Sequence, residues 1–116
     1  MPSTREPRAG EVWDIDFSPQ VGREQAGIRP ALVISNDYFN RLRNGLYIVV
    51  PITGTDRGLP FQVNVDAPEG GLTKRSVIMC DQEKSQSIEQ FLRRRGEVSE
   101  QTLRPVQQIV GTLIDR

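Results

Sequence analysis

The spacing between apolar runs constrains this chain most. Short apolar runs follow one another, and the polar segments between them hold about ten residues or fewer. A parallel βαβ crossover needs roughly a dozen or more, so the sheet is predicted to be antiparallel. Glu11–Phe17 alternates, with Trp13, Ile15 and Phe17 on one side and Asp14 and Asp16 on the other, the pattern of a half-buried strand. Ala31–Ser35 is a second strand, and Leu46–Ile52, the most apolar run, is predicted to be central. Phe61, Val63 and Val65 alternate with Gln62, Asn64 and Asp66. Ser76–Cys80 is a further strand that can run on to Ser87. The connections are turn-rich: Ser18–Gly27 with Pro19, Gly22 and Gly27, Thr53–Pro60, and Ala67–Leu72 with Gly70 and Gly71. In Asn36–Asn44 the residues Tyr38, Phe39 and Leu42 are spaced for a short helical turn.

The C-terminal part has a different period. Leu103, Val106, Ile109, Val110, Leu113 and Ile114 form one stripe at helical spacing, and Ser99 suits the N-cap of a helix running to Asp115. Pro105 is discordant, because it removes one helical hydrogen bond; a start at Thr102 would put it in the first turn. About five short strands followed by one amphipathic helix predict a small β-rich α+β domain, a curved sheet or partial barrel backed by the helix.

At 116 residues the chain is expected to be one domain over residues 9–116, after a loose lead at residues 1–8. The segment before Gly10 has no apolar core of a signal peptide, and no run reaches the length of a membrane helix, so the expected location is cytoplasmic. There is no histidine and one cysteine. Imidazole catalysis, an intramolecular disulfide, a zinc cluster and a CxxC redox pair are excluded. Cys80 is expected to be a buried small hydrophobe. The formal charge is zero, from 15 cations and 15 acids, which excludes a uniformly basic coating protein. Thirteen of the cations are Arg, the better partner for bidentate phosphate or carboxylate contacts. Between residues 74 and 95 six cations face three acids, so the charge is uneven.

P-loop, dinucleotide, esterase and EF-hand motifs are absent. Asp14 and Asp16 read as a solvated strand face or as an acid or metal pair. Arg29 ends a glycine-bearing loop and precedes Pro30, which stiffens its backbone; it is either a surface cation paired with Glu24 or a fixed anion ligand. Thr53 follows the central strand and opens the next loop, either as a turn former or as a hydroxyl at the sheet rim. Arg93, Arg94 and Arg95 read as a solvated face or as a phosphate patch.

Four segments in order, Arg8–Pro19, Gly22–Ser35 (G-x-E-x-x-G-x-R-P and an apolar run), Val50–Thr53 and Asp81–Ser85, resemble the MazF/PemK family of toxin endoribonucleases. The resemblance extends from about Arg8 to Ile114. It implies a small SH3-like barrel of the PemK/CcdB type with a C-terminal helix, in a homodimer. It implies an mRNA interferase that cleaves single-stranded RNA without a metal or other cofactor, the 2′-hydroxyl attacking the adjacent phosphate to leave 2′,3′-cyclic phosphate and 5′-hydroxyl ends. It also implies a cognate antitoxin whose acidic, flexible C-terminal part covers the RNA groove.

Carried onto this chain, the family's arginine before proline is Arg29 and its strand-end threonine is Thr53, the catalytic candidates. Arg23, Glu24 and Gln25 fall in the loop expected to cover the groove, and Gln82 and Lys84 in the segment expected to line it. Arg57 is a phosphate candidate by position. Two features depart from the family: Glu89–Arg95, expected to be helical, is unusually basic, and Pro105 interrupts the last helix. Two rivals stay open on the same fold. A CcdB-like gyrase inhibitor is associated with a Trp-Gly-Ile ending, whereas this chain ends Leu113-Ile114-Asp115-Arg116. The other is a relative that binds RNA without cutting it.

Overall fold

The computed structural model describes residues 6–17 and 27–114. The chain forms strands β1 (Glu11–Asp16), β2 (Ile28–Val33), β3 (Leu46–Thr53), β4 (Gln62–Val65), β5 (Ser76–Met79), β6 (Lys84–Ser87) and β7 (Phe91–Glu97), with helices α1 (Asp37–Leu42) and α2 (Glu100–Ile114). All pairings are antiparallel, in the order β4-β5-β3-β2-β1-β7 with β6 also on β3. This is the expected β-rich α+β architecture with a C-terminal helix, and Leu46–Thr53 is indeed its hub.

Alternation along the strands divides the core in two. Trp13, Ile15 and Phe17 pack with Ala31, Val33, Tyr47 and Val49 on one face. Val12, Leu32, Val50, Ile52 and Ile78 pack on the other face, against Val106 and Val110 of α2. Phe91 closes the first cluster, edge-on to Trp13 at 5.6 Å and tilted against Tyr47 at 5.2 Å. The alternation predicts a half-buried β1, and Val12 corrects this, because it is fully buried in the second cluster on the side opposite Trp13, Ile15 and Phe17.

Two further expectations are corrected. Ser76–Ser87 is not one strand, because a 3₁₀ turn at Cys80–Gln82 divides it into β5 and β6. The corner lets both halves pair with one strand: β5 meets Ile52–Thr53 and β6 meets Leu46–Val49. Cys80 is the pivot, donating its N–H to the Phe61 carbonyl (3.0 Å) while its side chain is buried as expected. Burial, aided by Asp81, pushes its thiol up to about 11. Glu89–Arg95 is not helical. After a 3₁₀ turn at Ile88–Gln90 it forms β7, which pairs with β1 through two register shifts.

The caps explain both helices. Asn36 Oδ1 accepts the Phe39 N–H (2.9 Å) at the start of α1. Ser99 Oγ accepts the Thr102 N–H (3.3 Å), so α2 starts at Glu100 and carries Pro105 as its sixth residue rather than in its first turn. The carbonyl that loses a partner to Pro105 belongs to Gln101, an exposed residue within reach of water. Val106 and Val110 are buried and Leu103 and Ile109 partly so, whereas Leu113 is 39% exposed and leaves the core stripe. Among the described residues no helix is long and apolar enough to cross a membrane.

Candidate active site

Two prolines shape the sheet beside the candidates. The β2–β3 ladder runs from Val33↔Val49 to Ala31↔Pro51, and Pro30 and Pro51 offer no N–H to extend it. Carried on by two positions, the same register sets Arg29 opposite Thr53. Arg29 shares its face with Ala31 and Val33, and Thr53 shares its face with Pro51 and Val49, so both lie on the side away from α2. Arg29 is half-buried and stands opposite Ile15 of β1. Its strand is entered through Gly27, whose φ of 89° favours glycine and whose carbonyl accepts the Phe17 N–H at 2.9 Å. Thr53 is paired with Val77 of β5. Its Oγ1 accepts the Thr55 N–H at 3.2 Å, so it serves the turn as well as the rim. A hydroxyl that accepts one bond still has its proton to donate.

Lys84 reaches the same face from β6. It stands opposite Val49, and its Nζ lies 5.4 Å from the centre of the Phe17 ring, a cation–π contact. Phe17 is two residues beyond Ile15, the partner of Arg29, so this contact sets Lys84 toward the end of the sheet that holds Arg29. Gln82 is half-buried in the 3₁₀ turn just before β6. Arg57 is exposed in the loop after Thr53, where Asp56 Oδ1 accepts the Gly58 N–H at 2.8 Å. Arg23, Glu24 and Gln25 lie outside the described residues, and so does the suggested Arg29–Glu24 pair.

Other groups prove to be structural. Asp14 is neither solvated nor part of a ligand cluster; among the described residues no group of three His, Cys, Asp or Glu could hold a metal. Its carboxylate, 14% exposed, takes Arg93 Nη2 at 3.1 Å and Arg95 Nη1 at 3.2 Å. Glu11 is buried, accepts Trp13 Nε1 at 3.0 Å, and faces Arg94 Nε at 3.2 Å, while Arg94 Nη2 meets Glu97 at 3.0 Å. The Arg93–Arg95 run thus forms a charge seam between β7 and β1, with the Arg93 side chain still 69% exposed. A separate concavity of about 510 Å³ opens beside α2, between Ile34, Ile48, Ser85, Val110 and Gly111; of the predicted site residues only Lys84 borders it.

One cation beside Thr53 carried no signal of its own in the sequence. The Lys74 side chain lies across Gly54, the residue after Thr53: a Cβ on Gly54 would stand 2.7 Å from Lys74 Cε and 3.0 Å from its Nζ. Nothing in the local sequence links positions 54 and 74, because the contact follows from the β3–β5 pairing.

Known proteins share the sequence pattern and the fold of this chain. The description "PemK-like, MazF-like toxin of type II toxin-antitoxin system" matches residues 8–114. The chain is 39% identical to endoribonuclease MazF9 of Mycobacterium tuberculosis over 97 residues, which is 79% of this chain and 82% of the relative. The crystal structure of MazF from Deinococcus radiodurans superposes with a TM-score of 0.82 at 30% identity, covering 97% of this chain and 100% of that one. A MazE–MazF crystal structure from the same organism contains a chain that matches with a TM-score of 0.75 at 28% identity, over 97% and 98% of the two chains. From the order of its strands to the span of the match, this chain belongs to the PemK-like, MazF-like toxin family of type II toxin–antitoxin systems.

Proposed function

We propose that this protein is a sequence-specific endoribonuclease toxin that cuts single-stranded RNA without a metal. The observation that supports the reading is the β2–β3 register, from Ala31↔Pro51 to Val33↔Val49, which extrapolates to Arg29 opposite Thr53. Relatives named as endoribonucleases support RNA cleavage as the reaction, and we assign the pair to it. The RNA's 2′-hydroxyl attacks the neighbouring phosphorus in line, the P–O5′ bond breaks, and the 5′-oxygen leaves as a hydroxyl. A 2′,3′-cyclic phosphate remains. Negative charge builds on the non-bridging oxygens, and the Arg29 guanidinium offers them two N–H donors. It acts by charge, since a guanidinium keeps its proton in proteins. Thr53 Oγ1 donates to the scissile phosphate or orients the 2′-hydroxyl. Use of that hydroxyl selects RNA over DNA.

Lys84 and Arg57 bind backbone phosphates, and Arg23, Glu24, Gln25 and Gln82 supply donors and acceptors for base edges. The protein works as a homodimer in the cytoplasm. It is silenced by a cognate antitoxin whose acidic C-terminal segment occupies the RNA groove; a relative crystallised with MazE supports that pairing. The test is to incubate the purified protein with long, mixed-sequence RNA in EDTA. Discrete fragments whose 5′ ends accept phosphate from a kinase without prior dephosphorylation are expected, and Arg29→Ala should abolish them while keeping the fold. Intact RNA that is nevertheless bound would favour the non-cleaving reading, and cleavage by Arg29→Ala at the wild-type rate would refute the assigned role.

A further inference from the structure

Gly54 has no backbone reason to be glycine. Its φ lies outside the left-handed region, unlike that of Gly27, Gly58 or Gly71, so an L-residue would fit the chain there. What occupies the space of its missing side chain is the end of Lys74, with Cε 2.7 Å and Nζ 3.0 Å from the ideal Cβ position. The glycine is a seat, and the lysine lies in it.

The backbone of Lys74 is held in place. Ser76 Oγ donates to its carbonyl at 3.0 Å, and β5 then pairs Val77 with Thr53. The neighbouring Arg75 is bridged to Asp66 at 3.6 Å, whereas among the described residues no carboxylate lies within ion-pair distance of Lys74. An exposed ammonium thus rests beside the strand end that presents Thr53. Since β3 runs between β2 and β5, Arg29 and Lys74 approach Thr53 from opposite sides. Two strand spacings, roughly 10 Å, separate their backbones, so the two cations flank the strand end from its two sides.

We infer that Lys74 binds the backbone phosphate next to the scissile one, and that Gly54 is glycine to keep that seat clear. The inference rests on the endoribonuclease reading above. A compact ammonium suits a phosphate met at variable geometry, and a contact to a non-reacting phosphate is kept equally in ground and transition states. It therefore acts on KM and leaves kcat alone, the opposite signature to Arg29.

The test compares wild type, Lys74→Gln, Lys74→Arg, Gly54→Ala and the Lys74→Gln/Gly54→Ala double variant. Cleavage of mixed-sequence RNA gives kcat and KM, and anisotropy with a labelled, random-sequence 2′-O-methyl oligonucleotide gives affinity over a range of KCl. Lys74→Gln is expected to weaken binding and raise KM by roughly five- to tenfold, keep kcat within about twofold, and flatten the log-affinity against log-salt slope by about 0.7. Gly54→Ala is expected to do the same, because its methyl pushes only the flexible end of Lys74 aside, with an unchanged melting temperature. The double variant should be no weaker than either single one, and Lys74→Arg should keep most of the affinity. If Lys74→Gln binds like wild type with the same slope, or if the two single effects add, the inference is wrong while the cleavage reading stands. If wild type neither cuts nor binds RNA, that reading fails and this one fails with it.

Discussion

Thr53 Oγ1 already accepts one hydrogen bond, from the Thr55 N–H at 3.2 Å, and this decides what a substitution there tests. Thr53→Ala removes both the turn contact and the proposed donor to phosphate, whereas Thr53→Ser keeps both. Single-turnover cleavage should fall roughly 10²–10³-fold for Ala, as for the loss of one transition-state donor, and stay within about tenfold for Ser. Equal loss in both variants would mean that the methyl group matters, not the hydroxyl. Glu69 gives a second residue-scale prediction. Burial alone would raise its carboxyl, but hydrogen bonds from Thr102 Oγ1 (2.7 Å), the Ser99 N–H (2.9 Å) and Ser99 Oγ (3.2 Å) outweigh burial and hold it below the ordinary value. A depressed carboxyl contributes stability that is complete above its unfolded value and lost as pH falls through the folded one. Glu69→Gln should therefore cost about 1 kcal/mol near neutrality, the scale of a lost helix cap. The gap from wild type should stay constant above pH 4.5 and close below it, as followed by urea titration at each pH. Local sequence marks Arg29 and Thr53 only as strand-boundary residues, and the family resemblance is what singles them out as candidates. Lys74 carries neither mark, since only the fold places it on Gly54.

At the scale of elements, the sequence was most legible where the signal is local. The caps at Asn36 and Ser99, the alternation in β1 and the apolar run of β3 all depend on neighbours in the chain. It was least legible at β7. Glu89–Arg95 is rich in residues that favour helix, and what overrides them is distant: Phe91 fills the gap between Trp13 and Tyr47, and Arg93–Arg95 find their carboxylates on β1. The break at Cys80–Gln82 was hidden for a similar reason, because it serves the pairing of two short strands with one long one. β7 is also held by a close backbone approach. A Cβ on Gly96 would meet Gly71 N at 2.7 Å and Gly70 C at 2.8 Å, atoms of a neighbouring turn that cannot rotate away. Gly96→Ala is expected to cost about 2 kcal/mol or more by overpacking, read as a lower urea midpoint with an unchanged m-value. A neutral result would show that the turn at Glu69–Gly71 yields as a unit.

At the scale of the whole molecule the formal charge is zero, so attraction for RNA depends on where cations are left to act. The seam between β1 and β7 neutralises Arg93, Arg94 and Arg95 against Glu11, Asp14 and Glu97. The cations proposed to meet phosphate are then Arg29, Arg57, Lys74 and Lys84. Each phosphate contact on a single strand contributes about 0.7 to the salt slope, so these four predict a slope of roughly −2.8, against one of about −5 if the arginine run took part as well. Binding of an uncleavable oligonucleotide measured from low to high KCl separates the two. Arg93→Gln provides the control within the same molecule. It breaks one of the two ion pairs to a largely buried carboxylate, so it should lower stability by about 1 kcal/mol while leaving the slope unchanged. A slope that flattens in Arg93→Gln would return the arginine run to the RNA interface and would mean that the seam opens to admit the strand.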